Sequence, residues 1–158
     1  MPEPSELPAW MVLGGGVHIM SPSAERPRVL GLTTHEARSD EEVDAIRARG
    51  PALAAQMRET PGFLGATIVV FGHRMFSLSA WTDHDGPRRI SREGVHRDAI
   101  EDVVQNGLTV GGLHSLWTAD SVRFLARCAS CGSVTDTLLT DGRCGRCDKD
   151  LRHATRYL

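Results

Sequence analysis

The sequence predicts an α+β protein with two parts, a main domain that mixes strands and helices and a small metal-binding module behind it. Two β-rich runs lie on either side of a short turn at residues 72–74 and predict a hairpin. Segments with helical spacing of apolar residues flank that hairpin, one before it and one after it. All four cysteines lie in two Cys-x-x-Cys pairs towards the C-terminal end, which separates the module from the main domain.

The first half of the main domain reads as a strand followed by a divided helix. Residues 28–34 are short and alternate between apolar and polar character, as a strand does. Ser39 can cap a helix, and Glu42 three residues later completes a capping pattern. Gly50 and Pro51 should kink or divide that helix, which ends at residues 60–62. Upstream, residues 9–20 read as a strand with a glycine-rich bend.

The second half of the main domain reads as the hairpin followed by a helix and a last strand. Strands are predicted at residues 63–71 and 75–82, a helix within residues 87–105, and a last strand at 113–118 that resumes at 122–126. In the second hairpin strand the side chains alternate between two faces. We expect Phe76, Leu78 and Ala80 to pack against helices, and the face with Ser77, Ser79 and Trp81 to line a pocket of mixed polarity.

The resulting order, β-α-β-β-α-β, is that of a ferredoxin-like fold. Two helices cover one face of such a sheet, so the other face must be buried in another way. Pairing of two sheets in a homodimer is the expected solution. The predicted organisation is an N-terminal extension at residues 1–27, the α+β domain at 28–122 and the cysteine module at 123–158.

The cysteines predict a zinc ribbon. Cys128, Cys131, Cys144 and Cys147 have the spacing of a tetrahedral four-thiolate site. So short a module buries too little apolar surface to fold alone, and bound metal would supply the missing stability. Disulfides would need an oxidising compartment, which nothing in the sequence indicates. Four thiolates close the coordination sphere, which favours structural zinc over the alternative of a catalytic one.

Composition and charge indicate where the protein is located and which partners it could bind. The 158 residues are 41% hydrophobic with a net charge of −2, and they show neither a signal peptide nor an apolar stretch long enough to span a membrane. We therefore expect a cytoplasmic protein without a membrane partner. From Arg123 onward the sequence carries seven basic and four acidic side chains. Because the module is basic, nucleic acid is an alternative partner, although aromatic residues that could stack on bases are sparse in the module.

Three short segments resemble a known family. Pro-Gly-Phe-Leu-Gly at residues 61–65, Leu-Ser-Ala-Trp-Thr-Asp at 78–83 and a later helix carrying His96 are similar to dimeric α+β barrel proteins of the antibiotic-biosynthesis-monooxygenase superfamily. Ser-Leu-Trp at 115–117 is similar to the spheroidene monooxygenase-like branch. The resemblance covers residues 28–119. It implies a dimeric α/β barrel and cofactor-free oxygenase, haem-binding or non-catalytic function. The four-cysteine module departs from the usual family pattern.

The resemblance also directs attention to candidate site residues. His96 would act as a general base or an axial haem ligand, with His35 or His114 as alternatives for the cavity-facing histidine. Trp81 and Trp117 would wall one shared cavity as catalytic-site aromatics. Substrate contacts are expected from Ser77, Ser79 and Arg92. The competing interpretations are that His96 is a structural histidine, that the tryptophans belong to the core and that Arg92 is solvated.

We therefore expect a monooxygenase-like oxidoreductase that modifies a small aromatic or polycyclic metabolite and contains structural zinc. The alternatives are a haem-binding enzyme of the same fold and a non-catalytic dimer that binds a ligand, a protein or nucleic acid through the basic module. The sequence contains no motif that supports another enzyme class. The chain lacks serine-hydrolase and HExxH patterns, and its Gly14–Gly16 run lacks the context of a phosphate-binding loop.

Overall fold

The computed structural model describes residues 16–20 and 25–152. Most of the expected N-terminal extension, including the bend at Gly14 and Gly15, lies outside the described residues, as does the segment 153–158. The chain divides into two compact units, with the boundary after Thr118. None of the described helices is long and apolar enough to cross a membrane.

The first unit contains five strands and four helices in its described part. In chain order they are β1 (Gly16–Met20), β2 (Val29–Glu36), α1 (Asp40–Ala48), α2 (Gly50–Glu59), β3 (Phe63–Phe71), β4 (Arg74–Trp81), α3 (Asp85–Ile90), α4 (Gly94–Val104) and β5 (Gly111–Thr118).

The strands form one antiparallel sheet in the order β1-β3-β4-β2-β5. Strands β2 and β3, which α1 and α2 connect, lie on either side of β4. Strands β4 and β5, which α3 and α4 connect, lie on either side of β2. These split β-α-β connections confirm the predicted ferredoxin-like order. Strand β1 extends the sheet beyond β3.

The helix boundaries follow local signals in the sequence. Ser39 caps α1, and its hydroxyl accepts a 3.4 Å hydrogen bond from the Glu42 N–H. Gly50 and Pro51 begin α2 directly after α1, so the predicted division is confirmed. The helix predicted within residues 87–105 is two helices, α3 and α4, separated by a turn that contains Arg92.

The helices cover the face of the sheet that carries Trp81. The register pairs Val29 with Trp81 and Gly31 with Ser79, so these four residues share a face. The buried core joins this face to α2 and α3, and consists of Ile19, Val29, Ala54, Met57, Phe63, Ala66, Trp81 and Ile90. The prediction that Phe76, Leu78 and Ala80 pack against helices is therefore wrong. Alternation tells which side chains share a face, but it does not tell which face the helices cover.

Trp81 is the largest side chain of this core, with 1% of its surface exposed. Its ring meets Phe63 edge to face, with the ring centroids 5.2 Å apart. A Cβ atom on Gly86 would lie 2.5 Å from the Trp81 ring. Only glycine at the start of α3 allows so close an approach, and Trp81 thereby fixes α3 against the sheet.

The opposite face carries large apolar side chains that stay in contact with solvent. Phe71, Phe76, Leu113 and Trp117 are exposed, and the last of these has 59% of its surface accessible. The register places all four on the side away from Trp81. We refer to these four residues as the open apolar face.

The second unit contains the hairpin of β6 (Leu125–Arg127) and β7 (Val134–Asp136) and the cysteines. Its buried cluster is Ala126, Cys128, Cys144 and Leu151. The run at residues 122–126 is predicted as a continuation of the last strand of the main sheet, but its last two residues, Leu125 and Ala126, pair with β7 instead.

Candidate functional site

Three histidines lie on the helix-covered side of the first unit, each from a different element. His35 is on β2, His114 is on β5, and the register places both on the same face as Trp81. His96 comes from α4, and it interacts electrostatically with the other two imidazoles. We refer to His35, His96 and His114 as the histidine cluster.

Two ring nitrogens of the cluster are buried without a hydrogen-bond partner within the described ranges, Nδ1 of His35 and Nδ1 of His96. Buried polar atoms are almost always bonded to protein or water, so a pair of bare nitrogens on one side of a sheet is uncommon. A ligand with hydrogen-bonding groups would satisfy both.

Burial favours the neutral forms of His35 and His96. Burial, followed by the charges of the nearby His114 and His35, lowers the pKa of His96 to about 4. Burial, followed by the charge of His114, also lowers the pKa of His35. At neutral pH the imidazoles of His35 and His96 therefore each have one nitrogen that accepts a hydrogen bond and one that donates.

Gly112 brings β5 close to this site. It lies opposite His35 in the register, and a Cβ atom there would lie 2.8 Å from His35 Nδ1 and closer still to the Thr34 carbonyl oxygen. A side chain at this position would displace the imidazole. The glycine thus keeps the space beside His35 Nδ1 clear, for which the sequence showed no signal.

A glutamine positions the helix that carries His96. Gln56 on α2 accepts a 2.9 Å hydrogen bond from the His96 N–H and donates one of 2.7 Å to the Glu93 carbonyl oxygen. Its amide therefore caps the first turn of α4, which has no side-chain cap of its own. Arg49 and Asp102 add an ion pair between the start of α2 and α4. Both contacts join residues far apart in sequence, and no local pattern indicates them.

Trp81 belongs to the core rather than to an open wall. Its indole N–H donates a 2.9 Å hydrogen bond to Ser79 Oγ, which lies 3.4 Å from the Gly31 carbonyl oxygen and donates to it. The structure thus brings Trp81 and Ser79 together. Ser77 shares their face and is half-buried, whereas Arg92 is exposed in the turn between α3 and α4.

Trp117 does not share a cavity with Trp81, and that expectation is wrong. Trp117 pairs with Leu30, whereas Trp81 pairs with Val29, so the two rings lie on opposite faces. Trp117 makes the same local contact on its own side, because its indole N–H donates a 2.8 Å hydrogen bond to Ser115 Oγ. His114, which pairs with Thr33, lies instead on the same face as Trp81.

The four cysteines of the second unit form a compact cluster that could hold a metal ion. All four sulfurs lie within 4.8 Å of one another. The Cys128 and Cys147 sulfurs are 3.6 Å apart, and the Cys131 and Cys144 sulfurs are also 3.6 Å apart. The cysteines are free thiols, and such spacing matches a tetrahedral thiolate site.

The chemistry of the cluster also fits a cation. The Ser133 hydroxyl, followed by the backbone N–H groups of Arg146 and Cys147, lowers the pKa of Cys144 to about 5. The Lys149 N–H lowers the pKa of Cys147, but the surrounding sulfurs raise it more, to about 12. Four thiolates in contact repel one another, so a positive ion at their centre is needed to keep all of them deprotonated.

The fold of the first unit is that of known ferredoxin-like proteins. A protein of unknown function from Nitrosomonas europaea, NE2512, is 11% identical, with 63% of this chain and 96% of that chain covered at a TM-score of 0.52. An uncharacterized ferredoxin-fold protein from Listeria monocytogenes, related to antibiotic biosynthesis monooxygenases, is 12% identical, with 70% and 64% covered at a TM-score of 0.53. These likenesses confirm, at the level of the fold, the resemblance that the sequence motifs indicate.

The cofactor-independent oxygenase SnoaB from Streptomyces nogalater is also similar, at 22% identity, with 61% of this chain and 97% of that chain covered and a TM-score of 0.48. No protein-family model and no curated protein sequence matches this chain.

Proposed function

We propose that the first unit is a monooxygenase-like enzyme that oxidises a small, electron-rich aromatic or polycyclic molecule. The observation that carries this proposal is the pair of buried, unpartnered imidazole nitrogens, His35 Nδ1 and His96 Nδ1. They lie on the helix-covered side of a sheet whose fold is related to that of antibiotic biosynthesis monooxygenases. The fold alone does not define a reaction, so the proposal rests on this site.

The neutral imidazoles suit a substrate with acidic hydroxyl or ring C–H groups. One bare nitrogen would accept the substrate's proton as the anion forms, and the other would accept a hydrogen bond that orients the ring. The anion is then electron-rich enough to reduce dioxygen itself. Conversion of a ring CH₂ group to a carbonyl by one O₂ releases one water, so the reaction balances without a further reductant.

The other candidate residues take supporting roles in this proposal. Ser77 lies on the same face as the histidine cluster and would contact substrate. Trp81 and Ser79 are hydrogen-bonded to each other, so we assign them to the rigid core of the unit rather than to contacts with substrate. Arg92 is exposed and would attract an anionic substituent at the entrance. Trp117, on the open apolar face, is assigned to an interface instead.

We also propose that two copies pair through the open apolar face. Soluble proteins seldom leave several large aromatic and aliphatic side chains exposed on one continuous surface. Phe76 and Leu113 lie opposite the same β2 residue, Thr34, and so form one continuous strip across the sheet. Pairing of two such sheets would bury that strip and form the barrel that the resemblance implies.

For the second unit we propose a structural zinc ion held by Cys128, Cys131, Cys144 and Cys147. The unit is small, and two of the four residues in its buried cluster are the metal-site cysteines Cys128 and Cys144. Zinc would therefore contribute directly to its folding. Free cysteines and a thiolate site accord with a reducing, cytoplasmic setting.

The test is dioxygen consumption by the purified full chain with a hydroxylated anthrone as probe. We expect one O₂ consumed per quinone formed. His96→Ala should reduce kcat at least a hundredfold, whereas His73→Gln, in the exposed hairpin turn, should leave it unchanged. Equal rates in the wild type and His96→Ala would overturn the assignment of the site.

The absorption spectrum of the same purified chain distinguishes a cofactor-free enzyme from the haem-binding alternative. A cofactor-free enzyme expressed with an adequate haem supply should show no Soret band. A Soret band that is lost in His96→Ala would instead identify His96 as an iron ligand.

A further inference from the structure

We propose that Ser133 is a positioning residue of the four-cysteine metal site, because one hydroxyl group contacts two of the four ligand sulfurs. This inference rests on the metal binding proposed above and assigns a role to a residue outside the cysteine motif. Ser133 follows Gly132 in the hairpin that joins β6 to β7.

The Ser133 side chain lies between the two Cys-x-x-Cys pairs. Its Oγ is 3.4 Å from Cys131 Sγ and 3.3 Å from Cys144 Sγ, so it joins one sulfur from each pair. These two sulfurs are themselves 3.6 Å apart. A hydroxyl in this position stabilises thiolate charge and limits how far the two pairs can separate.

The backbone of Ser133 is held equally firmly. Its carbonyl oxygen accepts a 2.9 Å hydrogen bond from the Cys128 N–H, and the Gly132 N–H donates one of 2.8 Å to the Cys128 carbonyl oxygen. Gly132 has a φ of 73°, a left-handed conformation that glycine adopts readily. The turn therefore fixes the backbone that carries the Ser133 hydroxyl beside the sulfurs.

A second hydroxyl supports the same sulfur. Thr135 Oγ1 lies 4.0 Å from Cys144 Sγ and accepts a 3.1 Å hydrogen bond from the Gly145 N–H. Since that bond occupies a lone pair of Thr135, the hydroxyl hydrogen is free to point at the sulfur. Two hydroxyl groups, those of Ser133 and Thr135, thus contact Cys144 Sγ, and the Ser133 hydroxyl is the one that also contacts Cys131 Sγ.

Groups that orient metal ligands contribute about ten- to hundredfold to metal affinity. Removal of the Ser133 hydroxyl should therefore weaken metal binding by about that factor. It should also raise the energy of the sulfur lone pairs, because a thiolate that loses a hydrogen bond becomes more electron-rich. The cobalt form of the protein would report this change directly, through its thiolate-to-metal charge-transfer band.

The experiment uses the full chain, stripped of metal and titrated with Zn²⁺ against a chromophoric chelator, and separately with Co²⁺. Ser133→Ala should raise the zinc Kd about ten- to hundredfold and move the cobalt charge-transfer band to longer wavelength. Ser133→Thr, which keeps the hydroxyl, should restore both values. Ser130→Ala is the matched control, because the Ser130 side chain is exposed in the same loop and bonds no sulfur in the described structure.

Three outcomes decide the proposal. Wild-type affinity and spectrum in Ser133→Ala would overturn it. Loss of metal binding in Ser133→Ala, with retention in Ser133→Thr and Ser130→Ala, would support it even if the alanine variant fails to fold. Absence of metal binding by the wild-type chain would overturn the proposed zinc site itself, and with it the role of Ser133.

Discussion

The indole N–H of Trp81 donates a 2.9 Å hydrogen bond to Ser79 Oγ, two residues earlier on the same strand. The same Ser-x-Trp contact recurs on β5, where the Trp117 N–H donates to Ser115 Oγ at 2.8 Å. One tryptophan is buried and the other is exposed, so the two contacts differ in surroundings but not in chemistry. They therefore provide a matched pair for measuring what burial adds to one hydrogen bond.

Ser79→Ala should destabilise the protein by about 1–3 kcal/mol, because it leaves the buried indole N–H of Trp81 without an acceptor. In the dissociated subunit, Ser115→Ala should change stability by less than about 0.5 kcal/mol, because water can replace the lost contact at Trp117, which is exposed in the single chain. Urea denaturation followed by tryptophan fluorescence measures both. Equal losses for the two variants would show that Trp81 finds another partner or water.

The open apolar face predicts a change in oligomeric state. Trp117→Asp should shift the protein from dimer to monomer in sedimentation equilibrium, because a charge would have to be buried between the two sheets. Val104→Asp, at a more exposed apolar position on α4, is the control and should leave the dimer intact. If the wild type sediments as a monomer, or Trp117→Asp as a dimer, the proposed interface is incorrect.

The histidine cluster predicts a loss of stability in mild acid. The folded-state pKa of His96 is about 4, below its ordinary value of 6.5, so the unfolded chain binds a proton that the folded protein does not. The free energy of unfolding should therefore fall as the pH decreases from 6.5 towards 4, and it should not vary from this cause above 6.5. Each pH unit in that window costs at most about 1.4 kcal/mol for one such group.

His96→Gln should flatten this pH dependence, since glutamine does not titrate. His73→Gln, in the exposed hairpin turn, should retain the wild-type profile. Chemical denaturation at several values between pH 4.5 and 7.5 provides the comparison. A profile that is the same in His96→Gln and the wild type would mean that other groups cause the acid sensitivity.

Removal of the metal should affect the second unit alone. The chain divides into two compact units, and two of the four residues in the buried cluster of the second are cysteines, so the proposed metal site predicts that the fold of this unit depends on the ion. Cys144→Ser or a strong chelator should broaden the amide NMR signals of β6 and β7 while those of β2 and β4 persist. Loss of both sets of signals would show that the units fold as one.

Much of this architecture can be predicted from local sequence patterns. The cap at Ser39, the division at Gly50 and the close approach of four cysteines all depend on residues near one another along the chain. The cap that Gln56 provides to α4 and the ion pair between Arg49 and Asp102 could not be predicted in this way. They join different helices and leave no periodic signal in either segment.

The sequence by itself determined the main order of strands and helices, the four cysteines that could hold a metal ion and the set of side chains that share each strand face. Only the tertiary structure decided which face the helices cover, and so separated Trp81 from Trp117 and brought His35, His96 and His114 to one side. The physical reason is that a strand has two equivalent faces by alternation. Which one is buried depends on side-chain volume and glycine-permitted approaches, such as Trp81 against Gly86, that bring distant segments together.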